Sequence, residues 1–174
     1  MTVYRPVVSR LDGSPKKFSI AQRAIHWTIL LLCIAQVPTA WAVQRTHAIP
    51  NGLEPRPLDL LLHQVHAWSG WLIMGLTFHL LILRIRHGRP VPVQGTSPIA
   101  QSLAAITHLA LYGLLFALAF TGTVAMYLTF SVAQIHSLLS WTLLAVAIAH
   151  AGAALWHHFW RRDDVLRRMI RNAP

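Results

Sequence analysis

Acidic side chains are nearly missing from this sequence: Asp and Glu number five in 174 residues, against fifteen Lys and Arg. Charged residues together make 11 % of the chain, where soluble domains carry roughly 25 %. With 55 % of residues hydrophobic, so small a supply of charge excludes an ordinary water-soluble globule. Cysteine occurs once, at Cys33 inside the first apolar run. That excludes an internal disulfide, a zinc cluster, an iron–sulfur centre and a C-x-x-C-H haem-attachment motif. The formal charge of +10 invites a nucleic-acid reading. The basic residues, however, fall only in short segments between apolar runs, where a membrane surface accounts for them, so lipid is the expected partner and nucleic acid is not. What the chain has in plenty is histidine, eleven residues in all.

Four apolar runs are long enough to cross a hydrocarbon core about 30 Å thick, which takes ~20 helical residues. They extend from about Ile20 to Val43, Leu61 to Leu83, Ile99 to Phe130 and Ser131 to Trp160. Apart from Arg23 near the start of the first, their central parts hold no Lys, Arg, Asp or Glu. Backbone polar groups in lipid must be satisfied within the segment, so each run is expected to be a helix. The expected fold is all-α, an integral membrane four-helix bundle forming one domain over residues 1–174. Lys16, Lys17, an apolar core and Ala40-Trp41-Ala42 have the outline of a signal peptide. The spanning length of that run predicts a retained helix instead. The connections at Gln44–Leu60 and Gly88–Pro98, each with three prolines, read as an exposed loop and a polar linker.

Thirteen of the fifteen basic residues fall on one side of this layout. Arg5, Arg10, Lys16, Lys17 and Arg23 precede or open the first helix; Arg84, Arg86 and Arg89 follow the second; Arg161, Arg162, Arg167, Arg168 and Arg171 follow the fourth. Arg45 and Arg56 fall on the other side, with Glu54 and Asp59. The positive-inside rule predicts a protein of the bacterial inner membrane with both termini in the cytoplasm. Tryptophans, which favour interfaces, fit the same frame: Trp27, Trp156 and Trp160 inner, Trp41, Trp68, Trp71 and Trp141 outer.

Ionisable side chains inside a span mark function by default. His136 and His150 lie fourteen residues apart on the fourth helix, which at 100° per residue is about 40° short of four turns and roughly 21 Å of rise. Both therefore face one stripe at two depths, the arrangement that two stacked haems in a helical bundle need. His26, near the inner end of the first helix, is within reach of His150. His66, near the outer end of the second, matches the depth of His136. Two bis-histidine sites from four histidines is the economical account, with Gly70 and Gly152 giving a macrocycle room to approach.

The remaining histidines divide by position. His63 is a rival to His66 that reads as interfacial. His79, thirteen residues past His66, points elsewhere and is expected to be a buried hydrogen-bonding residue. His108 is a candidate contact for a haem propionate or a quinone, or an interfacial residue. His157 repeats the face of His150, and His158 follows it; both are candidates for the same contacts or form a solvated pair. Arg23, Arg84 and Arg161 are candidate partners for propionates or anionic lipid, beside their anchoring role. His47 and His87 fall in the connections and are assigned nothing.

With these residues placed, the chain resembles the bacterial di-haem cytochrome b-561 family. The matching pieces are A-I-H-W with His26 and Trp27, V-H-A-W-S-G with His66 and Gly70, and H-L-A-L-Y-G-L-L-F-A-L with His108 and Tyr112. They continue with the pair His136/His150 and end in H-A-G-A-A-L-W-H-H-F-W with His157 and His158. In this order and spacing they cover almost the whole length. The resemblance implies two haems b, with His26 and His150 on the inner iron and His66 and His136 on the outer one. It also implies ubiquinone as the inner substrate, since similar family members include quinone reductases that take electrons from superoxide at the outer face. In those proteins the connection between the third and fourth helices is longer and helps build the outer surface. Here only about Thr129–Ala133 turns the chain, a departure that bears on superoxide as donor and leaves the haem sites untouched. The alternative within the resemblance is a haem-b membrane-anchor subunit passing electrons between a soluble redox partner and the quinone pool. A haem-free metal handler fits less well, because the histidines separate by depth into two pairs.

Overall fold

The structure is a computed structural model that describes residues 18–50, 53–88, 90, 92–93 and 96–170. Arg5, Arg10, Lys16, Lys17, Arg89 and Arg171 of the charge tally lie outside the described residues. Four long helices make up the bundle: α1 (Ile20–His47), α2 (Pro57–His87), α3 (Pro98–Tyr127) and α4 (Ala133–Phe159). A 3-10 turn at Phe130–Val132 precedes α4, and a short α5 (Arg167–Ile170) follows it. All four long helices are long and apolar enough to cross a membrane. Among the described residues there is no strand.

Two of the four long helices, α1 and α3, begin on a side-chain cap. Ser19 and Gln22 form a reciprocal box at α1: Ser19 Oγ accepts from Gln22 N at 3.1 Å, and Gln22 Oε1 accepts from Ser19 N at 2.9 Å. Ser97 caps α3 by accepting from Ala100 N at 3.2 Å, with Pro98 following at the first helical position. Pro57 opens α2 in the same way. Gly88, at φ 72°, ends α2 in a conformation that disfavours a side chain.

The helices overrun the predicted bounds most at the first connection. Gln44–His47 and Pro57–Leu60, expected as loop, are helical, and His47 closes α1. The reason is an ion cluster. Asp59, 2 % exposed, accepts from Arg45 Nη2 at 2.7 Å and from Arg56 Nε at 2.8 Å. A carboxylate in the first turn of α2 also suits the positive end of its dipole. At its other end α2 runs four residues past Leu83, so that His87, expected in a connection, is its last residue and the second connection begins at Gly88 as expected.

α1 packs against α2, α3 against α4, and α2 against α3. Few side chains are fully buried, and several of those are threonines: Thr39, Thr77 and Thr121. Small residues let membrane helices approach, and each hydroxyl is satisfied by a carbonyl one turn back in its own helix. Large apolar side chains such as Leu31, Phe78, Phe120 and Ile148 point outward. Water would penalise that surface; lipid does not. His79 is a correction to the expected buried residue, for it is exposed. It follows the buried Thr77 by two positions, about 200° round the helix, on the outward side.

Candidate functional site

The bundle has a hairpin end, carrying the α1–α2 and α3–α4 connections, and a terminal end, where α1 begins and α4 finishes. At the hairpin end, the ring centroids of His66 on α2 and His136 on α4 are 6.4 Å apart. At the terminal end, His26 on α1 and His150 on α4 are also 6.4 Å apart. The pairs join elements that are distant in sequence, and all four rings are half-buried. Two imidazoles that each bind one metal ion at about 2.0 Å hold their centroids roughly 6.3 Å apart. Both pairs thus fit bis-histidine ligation of a haem iron.

Threonines orient the hairpin-end pair. Thr39 Oγ1 donates to the carbonyls of Ala35 and Gln36, both at 3.0 Å, and lies 3.1 Å from His66 Nδ1. Thr121 Oγ1 donates to the Ala117 carbonyl at 2.7 Å and lies 3.1 Å from His136 Nδ1. A hydroxyl whose proton goes to a carbonyl offers its lone pair to the ring, so Nδ1 of each histidine donates and Nε2 is left as a ligand atom. Sequence reasoning missed both threonines. The signal was available: Thr121 and His136 are equidistant from the turn at Leu128–Thr129, and Thr39 and His66 from the middle of the first connection. In an antiparallel hairpin such residues meet.

The glycines near the histidines differ in their surroundings. A Cβ at Gly70 would meet Gln36 Nε2 at 3.4 Å, and one at Gly152 would meet nothing within 4 Å. At Gly122, which the sequence reading passed over, a Cβ would come within 3.1 Å of His136 Cε1. Gly122 gives the imidazole its place.

His108 lies 5.0 Å from His150, too close for a shared metal ion, and its Nδ1 donates to the Ala104 carbonyl at 2.6 Å. His63 repeats the threonine device, with Nδ1 3.1 Å from Thr46 Oγ1, and stands 5.4 Å from His47 at the hairpin end. His157 Nδ1 is 2.5 Å from Asp163 Oδ2, which also faces Arg161 Nε at 3.9 Å. His158 packs on Phe159, and among the described residues its buried Nδ1 has no hydrogen-bond partner. Arg23 is half-buried, three residues before His26. Beyond α4 the chain turns at Arg162, φ 52°, and returns so that the Met169 carbonyl accepts from Trp27 Nε1 at 2.8 Å. The structure therefore gathers His26, His150 and His108 at one end and His66 with His136 at the other. It engages His157 elsewhere.

A family model described as prokaryotic cytochrome b561 matches residues 17–172. A probable superoxide oxidase, CybB, of Yersinia pestis is 28 % identical over 89 % of this chain and 96 % of its own length. Cytochrome b561 homolog 2 of Escherichia coli K12 is 26 % identical over 91 % of this chain and 93 % of its own length. Cytochrome b561 homolog 1 of the same organism is 28 % identical over 88 % and 97 %. The chain belongs to the prokaryotic cytochrome b561 family, multi-pass bacterial membrane proteins that bind haem b and transfer electrons.

Proposed function

We propose that the protein moves electrons across the bilayer through two haems b and exchanges them with ubiquinone at the cytoplasmic side. The observation that carries this reading is the repeat of one 6.4 Å histidine pair at each end of the bundle, both pairs sharing α4. His26 and His150 would hold one haem iron at the terminal end, and His66 and His136 would hold the other at the hairpin end. Haem b, when bound, supplies the reversible one-electron change of its iron. The chain's own residues hold and orient it: Thr39 and Thr121 set the tautomers of the hairpin-end ligands, and Gly122 makes room for one of them. Packed helices keep water from the iron.

The charge asymmetry supports placing the terminal end in the cytoplasm, since Arg84, Arg86, Arg161, Arg162, Arg167 and Arg168 lie there. The donor to test first is superoxide at the outer face, because one relative named a probable superoxide oxidase is matched over 96 % of its length. The experiment is ubiquinone reduction by the detergent-purified holoprotein, driven by an enzymatic superoxide source. Turnover by the isolated chain supports an oxidoreductase. A lack of turnover together with a stable co-purifying redox partner supports the membrane-anchor role instead.

A further inference from the structure

The geometry points to a quinone head-group site in the groove between α2 and α3 at the terminal end, built from Arg84, His108 and Tyr112. The inference rests on the quinone-linked reading above and names the residues of its substrate site. The groove has a volume of about 380 Å³, within the range of small-molecule sites. Its lining sets the apolar side chains Leu81, Ile85 and Leu109 beside the polar groups of Arg84, His108 and Tyr112. Ile85 and Leu109 are also largely exposed on the lipid-facing surface, 74 % and 72 %. A ligand arriving through that mouth comes from the bilayer and is itself lipid-soluble, as a quinone with an isoprenoid tail is.

The polar groups suit both oxidation states of such a ring. Arg84 places its guanidinium carbon 5.9 Å from the Tyr112 ring centroid, and both side chains line the groove, so each brings a donor to it for a quinone carbonyl. His108 donates from Nδ1 to the Ala104 carbonyl at 2.6 Å, which leaves Nε2 as an acceptor for a quinol hydroxyl. His108 is also 5.0 Å from His150, so a ring bound against it adjoins the proposed terminal-end ligand. At the end of α4, by contrast, His157 is already held by Asp163.

The test uses the detergent-purified holoprotein reduced with dithionite and freed of excess reductant. Each quinone then takes two electrons from two ferrous haems, which become ferric, and two protons from solvent to form quinol. The concentration dependence of haem reoxidation by a short-chain ubiquinone gives an apparent KM. Arg84→Gln is expected to raise it about tenfold or more while haem content and spectrum stay unchanged. Ala105→Phe, which fills the groove without removing a polar group, is expected to do the same. An azido-quinone photolabel, mapped by mass spectrometry, is expected on peptides 81–88 and 105–112. The site is overturned by label on residues 157–170, by an unchanged KM in both variants, or by loss of haem from Arg84→Gln, which marks a propionate contact. If the unsubstituted holoprotein with intact haems is not reoxidised by quinone at all, the quinone reading itself fails and this site with it.

Discussion

Thr121 Oγ1 stands 3.1 Å from Nδ1 of His136 while donating its own proton to Ala117. The imidazole is thereby held with Nδ1–H toward Thr121 on α3, which leaves Nε2 without its proton as the ligand atom. Thr121→Val keeps the shape and removes the acceptor. The expected result is a hairpin-end haem bound roughly 10–100-fold more weakly, the usual cost of losing a group that orients a metal-ligating histidine. Haem retention on dilution, followed by absorbance, measures it; the terminal-end haem is expected to stay.

Gly122 lies beside the same ring. Gly122→Val brings a branched side chain to within 3.1 Å of His136 Cε1, and loss of the hairpin-end haem is expected. Gly75→Ala is the control, since a Cβ there meets nothing within 4 Å. Haem content per chain compares the two, and equal content in both variants would contradict the role given to Gly122.

How far these features can be read from sequence depends on what kind of signal carries them. The four spans were legible because lipid demands long uncharged runs, and His136 and His150 because a fourteen-residue spacing nearly closes four turns. Helix ends were less legible. The first connection looks loop-like for its prolines, yet Asp59, Arg45 and Arg56 pull Gln44–His47 and Pro57–Leu60 into helix. His79 was misread because angular offset from His66 says where it does not point, not which side of α2 faces lipid. Thr39, Thr121 and Gly122 carry no periodicity and become visible only when the hairpins are folded about their turns.

A hydrogen bond from Trp27 Nε1 to the Met169 carbonyl, 2.8 Å long, joins the terminal-end tail to α1. Trp27→Phe removes the donor and keeps the aromatic ring. A loss of about 1 kcal/mol in stability is expected, with faster amide exchange confined to residues 163–170. Hydrogen exchange by mass spectrometry checks both the direction and the location.

Orientation is tested by reporter fusions. Alkaline phosphatase joined after residue 170 is expected to be inactive, and joined within residues 48–56 to be active, because the basic residues stay in the cytoplasm. The opposite pattern would reverse the outer and inner assignments without altering the histidine pairs.

The two-haem account is tested most directly by a pyridine haemochrome assay with reduced-minus-oxidised spectra, applied to the purified protein and to His136→Ala. Two low-spin haems b per chain are expected, falling to one in the variant as the hairpin-end pair is broken and His26 with His150 persists. A single haem in the unsubstituted protein, or loss of both in a variant that remains folded, would contradict the two independent pairs.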